Sequence, residues 1–246
     1  MDSKQLCNCE TIHPGKIIGI SIIIAAAIFS YAFYVTRNAK DTLSVTGSAK
    51  KKITSDTVKW TGSFSRTVLT TDLKSGYDQM DQDLRIVKRF FVDQGITDKD
   101  LSVSPVTMDL VSSYNQSADT PREYSLRQNV EVQSADIAKI TALAKSIQPL
   151  INQGVVFSSQ SVEYYYSKLP DLRVQMLGEA VKDAKVRADE IAKSSGRKVG
   201  ALESAGMGVV QLLPVNSVEV SDYGAYDTSS IEKEAMVTVK TSFTMK

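Results

Sequence analysis

Cysteine and histidine are nearly absent: the 246-residue chain has two cysteines and one histidine, and Cys7, Cys9 and His13 all fall within its first thirteen residues. The rest of the chain therefore lacks the pairs used in thiol chemistry, in Ser-His acyl transfer and in histidine-ligated zinc. A domain without thiols also needs no redox management, which suits an exported position. Cys7-Asn8-Cys9 with His13 offers at most three metal ligands and is read as an incidental pair. An excess of charge of one sign is missing too. With 29 basic and 28 acidic residues the formal net charge is +1, so no global field draws in nucleic acid.

The chain also lacks a Gly-x-x-x-x-Gly-Lys-Ser/Thr phosphate loop, and Gly206-Met207-Gly208 stands without the rest of a dinucleotide fingerprint. Ser-x-x-Lys occurs at Ser48, Ser195 and Ser230 without the partner motifs of the penicillin-interacting enzymes. Asp78 and Asp81 share a helix face while Asp83 points elsewhere, and Asp98 and Asp100 lie beyond in no calcium-loop spacing. A glycosidase carboxylate pair can come from distant positions, so the sequence leaves that alternative open. The expectation is a protein that is not an enzyme, with no cofactor and no metal.

What is present is one long apolar run. Ile17 to Val35 contains no charge and is bounded by Lys16 and Arg37. At ~1.5 Å per residue it spans roughly 29 Å as a helix, the thickness of a bilayer core. It is too long for a signal-peptide core, and no small-x-small cleavage site comes after it. Ile17, Ile24 and Phe29 would face lipid, and Tyr31, Phe33 and Tyr34 would gather at one interface. The reading is an uncleaved transmembrane anchor over 17–35, after a short tail (1–16) and before a linker (36–42). Counting Lys4 and Lys16 against Arg37, Lys40, Lys50, Lys51 and Lys52 does not fix orientation, because long domains translocate largely regardless of charge.

From residue 43 to 246 the pattern is that of an α+β domain, antiparallel sheets packed with three helices. Leu43–Ala49 reads as a first strand. Residues 56–68 alternate with Val58, Trp60, Phe64 and Val68 inward and Thr57, Lys59, Thr61, Ser63, Ser65 and Thr67 outward. A helix from Thr70 or Thr71 to about Gln94 carries Leu73, Tyr77, Met80, Leu84, Val87 and Phe91 as its core face and stops at Gly95. Strands are expected over 101–111, with Pro105 marking an edge or bulge, and over 123–133, where Gln128 interrupts the inward face and is assigned to a sheet end, the alternative being a buried polar group with a partner. A second helix is capped by Ser134, is broken around Pro149 and ends at Gly154; a strand runs over 155–166. Pro170 opens the third helix, with Val174, Leu177, Val181, Ala184, Ala188 and Ile191 inward, and its charged face of mixed sign reads as solvated. Strands at about 208–215 and 234–245 close the domain around a long loop. Tyr164, Tyr165 and Tyr166 are strand formers, whereas loop residues Tyr223 and Tyr226 fit an interface.

The order of several short motifs is familiar. LSVTGSA (43–49), Asp56-Thr57-Val58, Gly95-Ile96 with Asp100-Leu101, and the alanine-rich EAVKDAKVRADEIAKSSG resemble the SIMPL-domain family over about Leu43 to Lys246. The resemblance implies an α+β domain, export across the inner membrane, and, in some members, large ring-like or channel-like homo-oligomers. It also implies bacterial links to oxidative or envelope stress, signalling adaptors among animal relatives, and no catalytic residues.

The function expected is a membrane-anchored, exoplasmic, self-assembling structural or envelope-stress protein. Its anchor would sit in the inner membrane as a single pass, with the C-terminal domain periplasmic or extracellular. Its partners would be itself, the membrane and other envelope proteins, but not nucleic acid. Thr61, Ser63 and Ser65 on the polar face of the second strand, with Tyr223 and Tyr226, form the candidate assembly surface. The alternative is a ligand-binding or chaperone-like accessory module of another envelope complex.

Overall fold

In the computed structural model, residues 14–37, 41–111, 121–217 and 223–246 are described. A helix, α1 (Pro14–Arg37), comes first. It is followed by strands β1 (Thr42–Thr54) and β2 (Thr57–Leu69), a 3-10 turn at Thr70–Asp72, and helix α2 (Leu73–Asp93). Next come β3 (Leu101–Val103), β4 (Thr107–Leu110), β5 (Glu123–Ser134), α3 (Ile137–Lys145), α4 (Gln148–Asn152) and β6 (Phe157–Tyr165). The chain closes with α5 (Leu169–Ser194), β7 (Val199–Pro214) and β8 (Glu232–Met245).

These strands build two antiparallel sheets. One has three strands in the order β1-β8-β7; the other has five, with β3-β5-β2-β6 in line and β4 also on β5. Everything from β2 to β6 is thus inserted between the first strand of the small sheet and the helix that covers it. Only Ser55 and Asp56 lead from β1 in one sheet to β2 in the other. Each sheet has its own core. The larger packs Trp60, Phe64, Met80, Phe91, Leu126 and Ile140 between the sheet and α2, α3 and α4, with Trp60 meeting Phe91 and Phe157 edge to face. Helices cover one face of each antiparallel sheet, the arrangement of an α+β fold.

Alanine dominates the core of the small sheet. The buried stripe of α5 is Leu172, Met176, Ala180, Ala184, Ala188 and Ala192, at strict four-residue steps. Val174 and Ile191, expected inward from three-four spacing, are 74% and 48% exposed. The reason lies on β1: a side chain at Gly47 would overlap the carbonyl oxygen of Ala180 and the nitrogen of Ala184. Helix and strand touch backbone to backbone, which valine on that stripe would prevent.

Other expectations shift for local reasons. Pro105 splits the 101–111 strand into β3 and β4, since proline cannot donate to a ladder. Gln128 is buried rather than at a sheet end, its Nε2 donating to the Ser104 carbonyl at 2.7 Å. Asp136, not Ser134, caps α3 by accepting from the Lys139 N–H, and Pro149 falls in the first turn of a separate α4. In α2, Tyr77 is 43% exposed while Asp83 is buried, clamped by Arg66 through two bonds of 2.7 and 2.8 Å. That pairing holds the Arg66 guanidinium above its ordinary value. β7 begins nine residues earlier than expected, because Gly200, Gly206 and Gly208 and its bulges interrupt any readable alternation.

The N-terminal apolar run is helical and all its described side chains, continuous from Ile18 to Tyr34, are exposed. Among the described residues, no helix is long and apolar enough to cross a membrane. The side chain of Ile17 lies outside the described residues, as do Cys7, Cys9 and His13.

The Gly47 contact makes a direct prediction. Gly47→Ala should lower the unfolding free energy by about 3 kcal/mol in urea titration, as overpacking of a closed helix-strand contact does. Gly178→Ala, with open space at its Cα, should leave it unchanged or raise it slightly.

Candidate assembly surface

Two regions carry the residues marked in the sequence: the polar face of β2 and the segment before β8. β2 is the central strand of its sheet, paired with β5 on one side and β6 on the other. Its polar face is therefore flanked rather than open. Ser63 is 5% exposed and accepts a hydrogen bond from Gln160 Nε2 at 3.0 Å. This corrects its assignment to an outer surface: the neighbouring strand's longer side chain folds over it. Thr61 and Ser65 are half-buried. Along the same sheet Lys59 pairs with Glu131 at 2.8 Å, a hydrogen bond that raises the lysine above its ordinary value.

Tyr223 and Tyr226 lie apart from that face in the chain before β8. Tyr223 is 97% exposed. Tyr226 is half-exposed, bridges to Leu212 on β7, and its ring stands 6.3 Å from that of Tyr165. Tyr165 donates to Glu163 at 2.7 Å, and that bond, with burial, pushes its hydroxyl up to about 12. The tyrosine triplet thus straddles the seam between the sheets. Tyr164 is buried in the larger core, Tyr166 packs on the smaller one, and Tyr165 reaches the pre-β8 segment.

The seam is tied by polar groups that sequence reasoning missed. Asp56 accepts from the N–H and hydroxyl of Ser167, both at 2.8 Å. Burial pushes the Asp56 carboxyl up, but these bonds and one from Thr57 outweigh it and hold it below its ordinary value. Across the seam Ser55 N–H donates to Ile231, Asp56 N–H to Tyr165, and Tyr164 N–H to Thr228, at 2.9, 2.9 and 2.7 Å. Nearby, Lys233 occupies the inward face of β8 ahead of Ala235, Val237 and Val239, and its side chain is fully buried. Its ammonium donates to the Ser230 carbonyl and lies 3.7 Å from Asp227. So the lysine of the third Ser-x-x-Lys pattern holds a main-chain oxygen. The signal available in the sequence was a charged residue within an otherwise apolar alternation. Burial pushes Lys233 down, against the attraction of Asp227; Asp227 is raised by burial but brought below its ordinary value by bonds from Ser229 and Ser230 and by Lys233.

Among the described residues no three His, Cys, Asp or Glu side chains come together as metal ligands. The clefts are shallow; one of about 280 Å³ between α2, α3 and α4 is lined by Phe90, Lys139, Leu143 and Pro149.

The edges of the small sheet differ sharply. At β1, Asp183 of α5 accepts from the outward Ser48 N–H at 2.8 Å, and Lys51 donates to Gln175 of α5 at 2.9 Å. At β7, among the described residues, the segment 224–227 lies along the end from Val209 to Leu212. Every residue from Ala201 to Val209 is exposed, including Leu202, Met207 and Val209.

A two-sheet α+β protein built around an exposed strand and a buried ionic seam is the class these features define. Residues 43–244 match the family model described as "SIMPL: Protein of unknown function (DUF541)", and the chain belongs to that family. No curated protein matches it.

The seam predicts an acid-sensitive fold. Asp56 and Asp227 have folded values below their ordinary 3.8, so their stabilisation is full above that pH and is lost as pH falls through the lower folded values. Asp227→Asn should cost about 3 kcal/mol at neutral pH by stranding the buried Lys233, and Asp227→Asn with Lys233→Met should recover most of it. Urea titrations at pH 7 and pH 3.5 measure both effects.

Proposed function

We propose that this chain is a single-pass, membrane-anchored envelope protein whose domain works on the exoplasmic side by self-association, as a structural or stress-protective element without catalysis. The observation that carries the reading is α1. Its 24 residues cover about 36 Å, and the side chains from Ile18 to Tyr34 are apolar or weakly polar and exposed on every side. The described part of α1 does not by itself meet the length and hydropathy of a span, so the reading takes the charge-free run 17–35 of the sequence as the segment a bilayer would cover. Only residues 38–41 lie between it and β1, so the domain would be held within about 15 Å of the lipid. Family membership supports the reading: the likeness to SIMPL proteins carries export and, in some members, assembly.

Membrane fractionation of cells expressing the 246-residue chain tests the anchor. The chain should stay with membranes through a carbonate wash, deletion of residues 14–37 should release it, and protease added outside the inner membrane should degrade the domain. Light scattering of the detergent-extracted chain should give a multimer. Release of the intact chain by carbonate, or a monomer at micromolar concentration, would overturn the corresponding half of the proposal.

A further inference from the structure

We propose that the open half of β7 pairs with β7 of a second copy of this chain, antiparallel and related by a two-fold axis at Gly206. This rests on the self-association reading and names its surface. An edge strand is recognised by another strand, because its outward N–H and C=O groups need main-chain partners. The ladder fixes which groups point outward. Leu212 donates to Ala225 and accepts from Asp227, both at 2.8 Å, so its backbone faces away from β8. Leu212 lies opposite Ala235, Met207 opposite Val239 and Ala205 opposite Thr241, which gives Ala205 and Met207 the same outward sense. On the far side of β8, Ser48 lies opposite Thr238 and turns its N–H out to Asp183, which requires the same parity.

The second copy is favoured over other strands by four features. On the opposite edge, β1, Asp183 of α5 already occupies the outward Ser48 N–H in mid-strand, which interrupts pairing of β7 with β1 of a neighbour in an open chain. Bulges between Leu202 and Ser204 and between Met207 and Val210 leave Ser204–Met207 as the regular stretch, which pins the register and limits growth. Centred on Gly206, an antiparallel partner sets Ala205 against the partner's Met207 twice, giving four main-chain bonds, with the two Gly206 residues facing each other. The only charge from Ala201 to Val209 is Glu203. Antiparallel pairing keeps the two Glu203 carboxylates about 20 Å apart, whereas a parallel in-register pair would set them side by side.

Three variants of the 246-residue chain, in detergent and in vesicles, test the pairing. With Cys7 and Cys9 changed to Ser, Gly206→Cys should form a disulfide dimer under mild oxidation at least tenfold faster than Thr46→Cys on the β1 edge. A side chain at 206 meets nothing within 4 Å, and facing residues of a non-hydrogen-bonded pair stand about 4.5 Å apart at Cα, within disulfide range. Ala205→Pro removes an outward N–H that bonds nothing in β8, so the urea midpoint should hold while the multimer signal drops at least tenfold. Cross-linking at Thr46 as fast as at Gly206, or undiminished association of Ala205→Pro, would overturn this edge while leaving self-association standing. A monomeric parent chain at all concentrations would overturn both.

Discussion

The backbone contact between Gly47 and the Ala180–Ala184 stretch of α5 sets the rest of the small sheet. Because helix and strand meet without intervening side chains, α5 lies close over β1 and β8, and its polar flank comes within reach of the β1 edge. Asp183 can then accept from Ser48 N–H, and Gln175 from Lys51. The same closeness leaves α5 too far across to cover β7, whose middle is exposed on both faces. One glycine and four alanines thereby decide which edge of the sheet is protected and which is available. Edge protection by side chains from a neighbouring helix is a common defence against unwanted pairing, and its absence from the opposite edge of the same sheet is informative.

The second constraint is the seam. Since only two residues lead from β1 to β2, the relative placement of the sheets cannot rest on the covalent link alone. It rests on Asp56 held by Ser167, on main-chain bonds from residues 55, 56 and 164, and on the tyrosine triplet contributing to both sides. Lys233 and Asp227 add a buried charge pair at the same place, and such pairs specify geometry more than they add stability. Their position explains how the segment before β8 is ordered enough to bond Leu212. Fixing Asp227 fixes residues 225–227, and those residues close the upper end of the β7 edge. The buried pair thus also sets where the open edge begins.

Legibility in the sequence tracked the physics of each element. β2, β5 and β8 were readable because one face is buried and one is not, so polarity alternates along them. β7 was not: it is an edge strand with both faces exposed through its middle, and nothing there selects for alternation. On α5 the expected Ala184 and Ala188 are buried and Leu177 and Val181 pack on the core, but Val174 and Ile191 are exposed where Met176 and Ala192 hold the stripe. A contact this close favours alanine over larger apolar residues, and the clue was Gly47 in the facing strand. Of the candidate surface, Tyr223 was legible as exposed, whereas Ser63 was not legible as buried, since nothing in its neighbours announces that Gln160 will fold over it. Asp56 depends on Ser167, 111 residues away, a separation local patterns do not encode, whereas Lys233 and Asp227 are six residues apart.

The proposed β7 pairing constrains the proposed anchor. An antiparallel pair of β7 strands has its two-fold axis perpendicular to the sheet, which turns the two copies of β1 in opposite directions. For both α1 helices to enter the same bilayer that axis must lie along the membrane normal, so the joined six-stranded sheet would lie flat over the lipid rather than stand on end. One face of it would then meet the headgroups. The α5 face places a helix there. The other presents Ser44, Thr46, Ser48, Thr238 and Ser242 with Lys52, Lys240 and Glu232, and Lys50 paired with Glu234 at 2.9 Å. Tethering in the plane would also raise the effective concentration of one edge near another, so a contact of only four main-chain bonds could be populated at the membrane.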